Sequence, residues 1–169
     1  MILAAGHYIC ILCLSIIHQK LTTMLNGLIH AHSGIRWIVL VLLIVSVFKA
    51  LLKWKSKAPY TDGDRKLSFF TMLSVHIQLL LGLALYFMSD KVVFSGDAMK
   101  VAITRFFTAE HSLMMIVAIA LVTIGYVKAK KAADEVKKFS LTFWYNLIAL
   151  LIVLAFIPWP FRGFGSGWF

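Results

Sequence analysis

Residues 25–48 read LNGLIHAHSGIRWIVLVLLIVSVF, and this stretch decides the fold class. At a helical rise of ~1.5 Å per residue it covers ~36 Å, enough to cross a hydrocarbon core of ~30 Å. It also contains His30, His32 and Arg36. The purely apolar part from Ile38 to Phe48 is too short to span alone, so Arg36 belongs inside the span. Ionisable groups cost several kcal/mol in hydrocarbon, which makes such a residue a functional-site candidate whose partner must be found.

Three further stretches have the same character, at about 67–89, 105–127 and 139–161. In lipid the backbone must satisfy its own hydrogen bonds, so continuous spans of this length are helices. The connections are short, which predicts an all-α, up-down-up-down four-helix membrane bundle. Composition agrees: 61% of the 169 residues are hydrophobic and 14% charged, with a mean hydropathy of +0.88. A net charge of +10 does not indicate nucleic-acid binding here, because the lysines cluster between apolar spans.

The basic residues also predict an orientation. Lys49, Lys53, Lys55, Lys57, Arg65 and Lys66 surround the first loop, and Lys128, Lys130, Lys131, Lys137 and Lys138 the third. The middle loop region has only Lys91, Lys100 and Arg105. The positive-inside rule places the first and third loops in the cytoplasm and the C-terminus outside; the resemblance described below implies a bacterial inner membrane.

Outside residues 24–162, the unit that holds the four spans, lie two segments. Residues 1–23 form an apolar extension, short for a span and interrupted by His7. It lacks the basic start and small-residue cleavage site of a signal peptide. It reads as an additional apolar helix or as a dispensable stretch before a start at Met24. The CxxC spacing of Cys10 and Cys13 lies in this apolar run and reads as two inert thiols. Residues 163–169, GFGSGWF, read as a flexible glycine-rich tail after the helix stop Pro158-Trp159-Pro160.

Helical phase and depth sort the polar residues. His32 and Arg36 are four apart and share a face; His30 is roughly 200° from His32 and points elsewhere. His32 lies ~10 Å from the outer end of its span and His111 ~9 Å from the outer end of the third. Those two helices run in the same direction and sit diagonally, so two imidazoles can approach a flat macrocycle from opposite sides. This is the arrangement that bis-histidine ligation of a b-type haem requires. His76 falls nearer mid-membrane and is a reserve ligand or supporting donor. Arg36 can pair with Glu110, bind a cofactor anion such as a haem propionate, or extend its charge to the outer surface.

The segments His30–Trp37, His76–Gly82 and Phe106–His111, with the terminal IPWPFR of 157–162, resemble small bacterial four-helix membrane proteins labelled "cytochrome B". More distantly the pattern is similar to four-helix cytochrome b carriers and to haem A synthase halves. The resemblance implies haem b held by histidines on different helices, which here are His32, His76 and His111. The fourth span has no histidine, so a single haem is expected. The function expected on this basis is electron transfer, as a carrier rather than a catalyst, with a quinol or periplasmic protein as exchange partner. Two other readings stand beside it. One is a copper- or zinc-handling protein that uses the three histidines, with Glu110. The other is a cofactor-free subunit, in a larger membrane complex or homo-oligomer, whose polar residues hold helices together.

Overall fold

The structure, a computed structural model, describes the backbone of residues 2–164, 167 and 168 and the side chains of 14–164, 167 and 168. Four long helices form the bundle: α1 (Ile2–Ser56), α2 (Asp62–Met88), α3 (Ala102–Lys131) and α4 (Glu135–Phe156). All four are long and apolar enough to cross a membrane. Helix α1 packs on α2 and α4, and α3 packs on the same two, so α1 and α3 face each other across the diagonal.

The bundle has the burial pattern of a membrane protein. On α2 the buried residues are Asp64, Ser68, Thr71, Ser74 and Val75, four of the five polar. Large apolar side chains such as Phe70, Leu80 and Phe87 point outward and are more than half exposed. In water this would be inside out; in lipid it lets polar groups bond one another while the outer face meets hydrocarbon. Asn146 Nδ2 donates to Ser46 Oγ at 2.8 Å between α4 and α1, and Leu43 and Ala149 pack fully buried near that pair.

The extra N-terminal segment is not a separate helix. It is continuous with α1, as nothing between Ile2 and Leu25 breaks the helix. Leu14, Ile16, Ile17 and Leu21 on this extension are each more than half exposed. The Cys10 and Cys13 side chains lie outside the described residues.

At the lysine-rich end, Asp64 anchors the α1–α2 turn. Its carboxylate is 4% exposed and lies 2.6 Å from Lys53 Nζ and 3.0 Å from Lys49 Nζ. The Thr61 N–H (2.8 Å) and hydroxyl (2.7 Å) also donate to it, closing the first turn of α2. Asp134 caps α4 by accepting from the N–H groups of Val136 and Lys137.

At the opposite end α4 stops at Phe156, earlier than the 161 expected from hydropathy. Ile157 is extended, as a residue before proline tends to be. Pro158 and Pro160 have no N–H with which to continue the helical ladder. The tail also departs from expectation. Gly163, in the left-handed region at φ 72°, turns the chain, and Phe164 stacks on Phe106 with ring centroids 4.3 Å apart. Trp168 stacks on Trp37 at 6.2 Å.

Candidate functional site

Between the four helices, at the end that carries the α2–α3 connection, lies a cavity of about 250 Å³. Its deeper wall is apolar and includes Val39, Leu43, Val75, Met115 and Val122. The polar groups on it include His32 and Arg36 from α1, Gln78 from α2 and His111 from α3, with Lys91 at the rim.

His111 is positioned by two irregularities. The first is a π-helical turn, Phe106–Glu110, immediately before it. Such turns insert one residue into a helix and are frequent at functional sites. The Tyr86 hydroxyl donates to the Thr108 carbonyl at 3.0 Å, and the Ser112 hydroxyl to the Phe107 carbonyl at 2.7 Å. The second irregularity is the end of α4. The Phe156 carbonyl would ordinarily receive the N–H of residue 160, which is proline and has none. His111 Nδ1–H takes that carbonyl instead, at 2.7 Å. The Leu154 carbonyl is likewise orphaned by Pro158 and accepts from Trp159 Nε1 at 2.9 Å. With Nδ1 engaged, Nε2 is the nitrogen of His111 available as a ligand.

His32 packs against Gly82 of α2. A Cβ added to Gly82 would sit 3.2 Å from His32 Cε1, so only glycine leaves the imidazole this room. Gln78 Nε2 donates to the His32 carbonyl at 2.8 Å. Three buried polar atoms around the cavity have no hydrogen-bond partner among the described residues: His32 Nδ1, Gln78 Oε1 and Arg36 Nε. Orphaned buried groups are rare, and three together mark a place built to meet something else.

His76 does not line the cavity. It lies two residues before Gln78, roughly 200° around α2, and its Nδ1–H donates to the Met72 carbonyl at 2.8 Å. His30, on the other side of α1 from His32, is exposed. Arg36 and Glu110 do not pair. Glu110 takes Arg105 Nε at 2.8 Å, at the five-residue spacing that the π turn brings onto one face. Arg36 donates through Nη2 to the Trp168 carbonyl at 2.8 Å and reaches that of Gly167 at 3.4 Å. Trp37 Nε1 donates to the same Trp168 carbonyl at 3.0 Å.

Lys91, on the connection between α2 and α3, donates to the Phe164 carbonyl at 3.1 Å and lies 5.0 Å from the centre of the Phe107 ring. Burial lowers its pKa from the ordinary lysine value. Sequence reading missed Gln78, Lys91 and the π turn. Pro158 and Pro160 were read only as a helix stop; the carbonyls they leave free are the signal in the sequence, and which side chain takes each depends on how the helices pack.

No protein-family model, curated protein or solved structure matches the chain. The functional reading therefore rests on the geometry, and the likeness to the "cytochrome B" group remains an expectation from short motifs. Among the described residues no three His, Cys, Asp or Glu side chains come close enough to hold a metal ion by themselves. A three-histidine copper or zinc centre has no support in this arrangement.

Proposed function

We propose that the protein binds one b-type haem in this cavity, where His32 and His111 would hold its iron, and acts as a membrane electron carrier. One observation carries the reading: two histidines from diagonally opposed helices line a single, largely apolar cavity. The residues suit such a group. His111 has its Nδ1 engaged by a carbonyl, the arrangement that orients an imidazole for ligation through Nε2. Gly82 gives the His32 ring the room it occupies against α2. Arg36 is available to an acidic edge. Bound there, the iron would supply one-electron chemistry, while the apolar walls limit water and help set its potential.

By the positive-inside rule, the cavity end faces the outer side of a bacterial cytoplasmic membrane. Exchange with a quinol or a periplasmic carrier is the corresponding partner chemistry.

The test is a reduced-minus-oxidised absorption spectrum of the detergent-purified protein after expression with ample haem. A b-type spectrum is expected, lost or radically altered in His32→Ala and in His111→Ala. No Soret shift in the wild type, or wild-type spectra in both variants, refutes the proposal.

A further inference from the structure

Two contacts join α2 to α3 at different heights. Near the cavity end the Tyr86 hydroxyl donates to the Thr108 carbonyl at 3.0 Å. Towards the lysine-rich end the Phe69 and Tyr126 rings meet with centroids 6.4 Å apart. Between Phe69 and Tyr86 lies ~25 Å of helix α2.

Helical phase shows which side chains should close the seam between these contacts. Leu79, Leu83 and Tyr86 share one face of α2, and Ser112, Ile116, Ile119 and Tyr126 share the facing side of α3. In a close-packed helix pair such residues interdigitate and shield one another. Here they do not. Leu83 is 41% and Ile116 51% exposed, and both belong to the cavity wall, as do Leu79, Ser112 and Ile119. The helices are parted along this stretch, and the cavity reaches the outside of the bundle through the gap.

What lies outside follows from where the gap is. Both of its edges are on helices long and apolar enough to cross a membrane. Four of the five edge residues are apolar, and the hydroxyl of the fifth, Ser112, is engaged by the Phe107 carbonyl at 2.7 Å. Leu80 and Leu113, beside the gap on either helix, are 68% and 61% exposed and mark the lipid-facing surface. The opening therefore meets hydrocarbon chains. Behind it, Val75 and Val122 line the cavity and are only 4% and 2% exposed. Apolar walls that face empty space forfeit dispersion contacts, which a hydrocarbon chain restores.

We propose that the gap between α2 and α3 is a lateral portal, through which an acyl chain of a bilayer phospholipid enters the cavity. The same route admits lipid-soluble ligands, whose hydrogen-bonding group would meet the orphaned Gln78 Oε1 on the inner wall. The portal is independent of the haem reading, since it needs only the parted seam and the surrounding lipid.

The experiment places the full chain in vesicles of phosphatidylcholine, a fraction of which carries a photoactivatable diazirine midway along one acyl chain. After illumination, lipid cross-links are located by peptide mass spectrometry. Cross-links are expected on Val75 and Val122 as well as on the outward-facing Leu80 and Leu113. Ile116→Trp, which fills the gap from α3, should reduce labelling of the two valines several-fold and leave Leu80 and Leu113 labelled as before. Leu83→Phe, which narrows the gap from α2, should act in the same direction and serves if the tryptophan variant fails to fold. Cross-links confined to outward-facing residues in the unaltered chain overturn the proposal. Valine labelling unchanged in the folded variants overturns the route. A haem spectrum with no valine labelling in the haem-free protein removes the portal alone, and valine labelling with no haem spectrum removes the haem reading alone.

Discussion

Two glycine-to-alanine substitutions, Gly82→Ala and Gly125→Ala, should have opposite consequences. Both glycines lie inside long helices, where alanine gains about 0.5–1 kcal/mol over glycine in backbone entropy. At Gly125 the new Cβ would lie 2.5 Å from Tyr145 Cβ and 3.0 Å from its Cγ. Tyr145 Cβ is fixed to the α4 backbone, so the two helices must separate by nearly 1 Å from their present packing. Overpacking of this kind costs about 1–3 kcal/mol, leaving a net loss of about 1–2 kcal/mol after the propensity gain. At Gly82 the obstacle is the His32 ring at 3.2 Å, and beside that ring is open cavity. The imidazole can move by a few tenths of an ångström at a cost of about 0.5–1 kcal/mol in rotamer strain, which the propensity gain offsets. Thermal unfolding in detergent, followed by tryptophan fluorescence, should show Gly125→Ala melting several degrees lower and Gly82→Ala near the wild type. Haem loading should show the reverse order, with Gly82→Ala the impaired variant because His32 is displaced. Equal destabilisation by the two substitutions would refute the claim that His32 borders free space.

Asp64→Asn should lower stability by about 1–3 kcal/mol, less than a fully buried ion pair. Its partners Lys49 and Lys53 are 40% and 23% exposed; Lys49→Gln should cost less, and detergent melting curves check both. Asn146→Ala removes the interhelical bond to Ser46 at 2.8 Å, so a loss of about 1 kcal/mol is expected in the same assay. His76→Ala and His30→Ala should leave haem content and spectrum unchanged, since neither side chain lines the cavity. Loss of haem in His76→Ala would reassign the ligands.

The four spans were legible because the hydrocarbon thickness sets a minimum helix length, and residues 25–48, 67–89, 105–127 and 139–161 each meet it in one unbroken run. Helical phase was equally legible. With 3.6 residues per turn, His32 and His30 cannot share a face, and the former lines the cavity while the latter is exposed. Depth grouped His32 with His111 for a similar reason, and both line the cavity. Boundaries were less certain, because hydropathy falls gradually whereas helices end at particular backbone events. Helix α4 ends where prolines remove donors, and α1 extends back to Ile2 because no such event interrupts it.

What only the tertiary structure decided concerns partners. Arg36 and Glu110 were equally available to each other in sequence. The π turn brings Arg105 to Glu110, and the returning tail brings the Trp168 carbonyl to Arg36. The orientation of His111 depends on a carbonyl 45 residues away, left free where another helix ends. Local composition and period determine which segments span and which way a side chain leaves its own helix. Which atom meets it there depends on how the four helices and the C-terminal segment pack together, and no short window of sequence contains that.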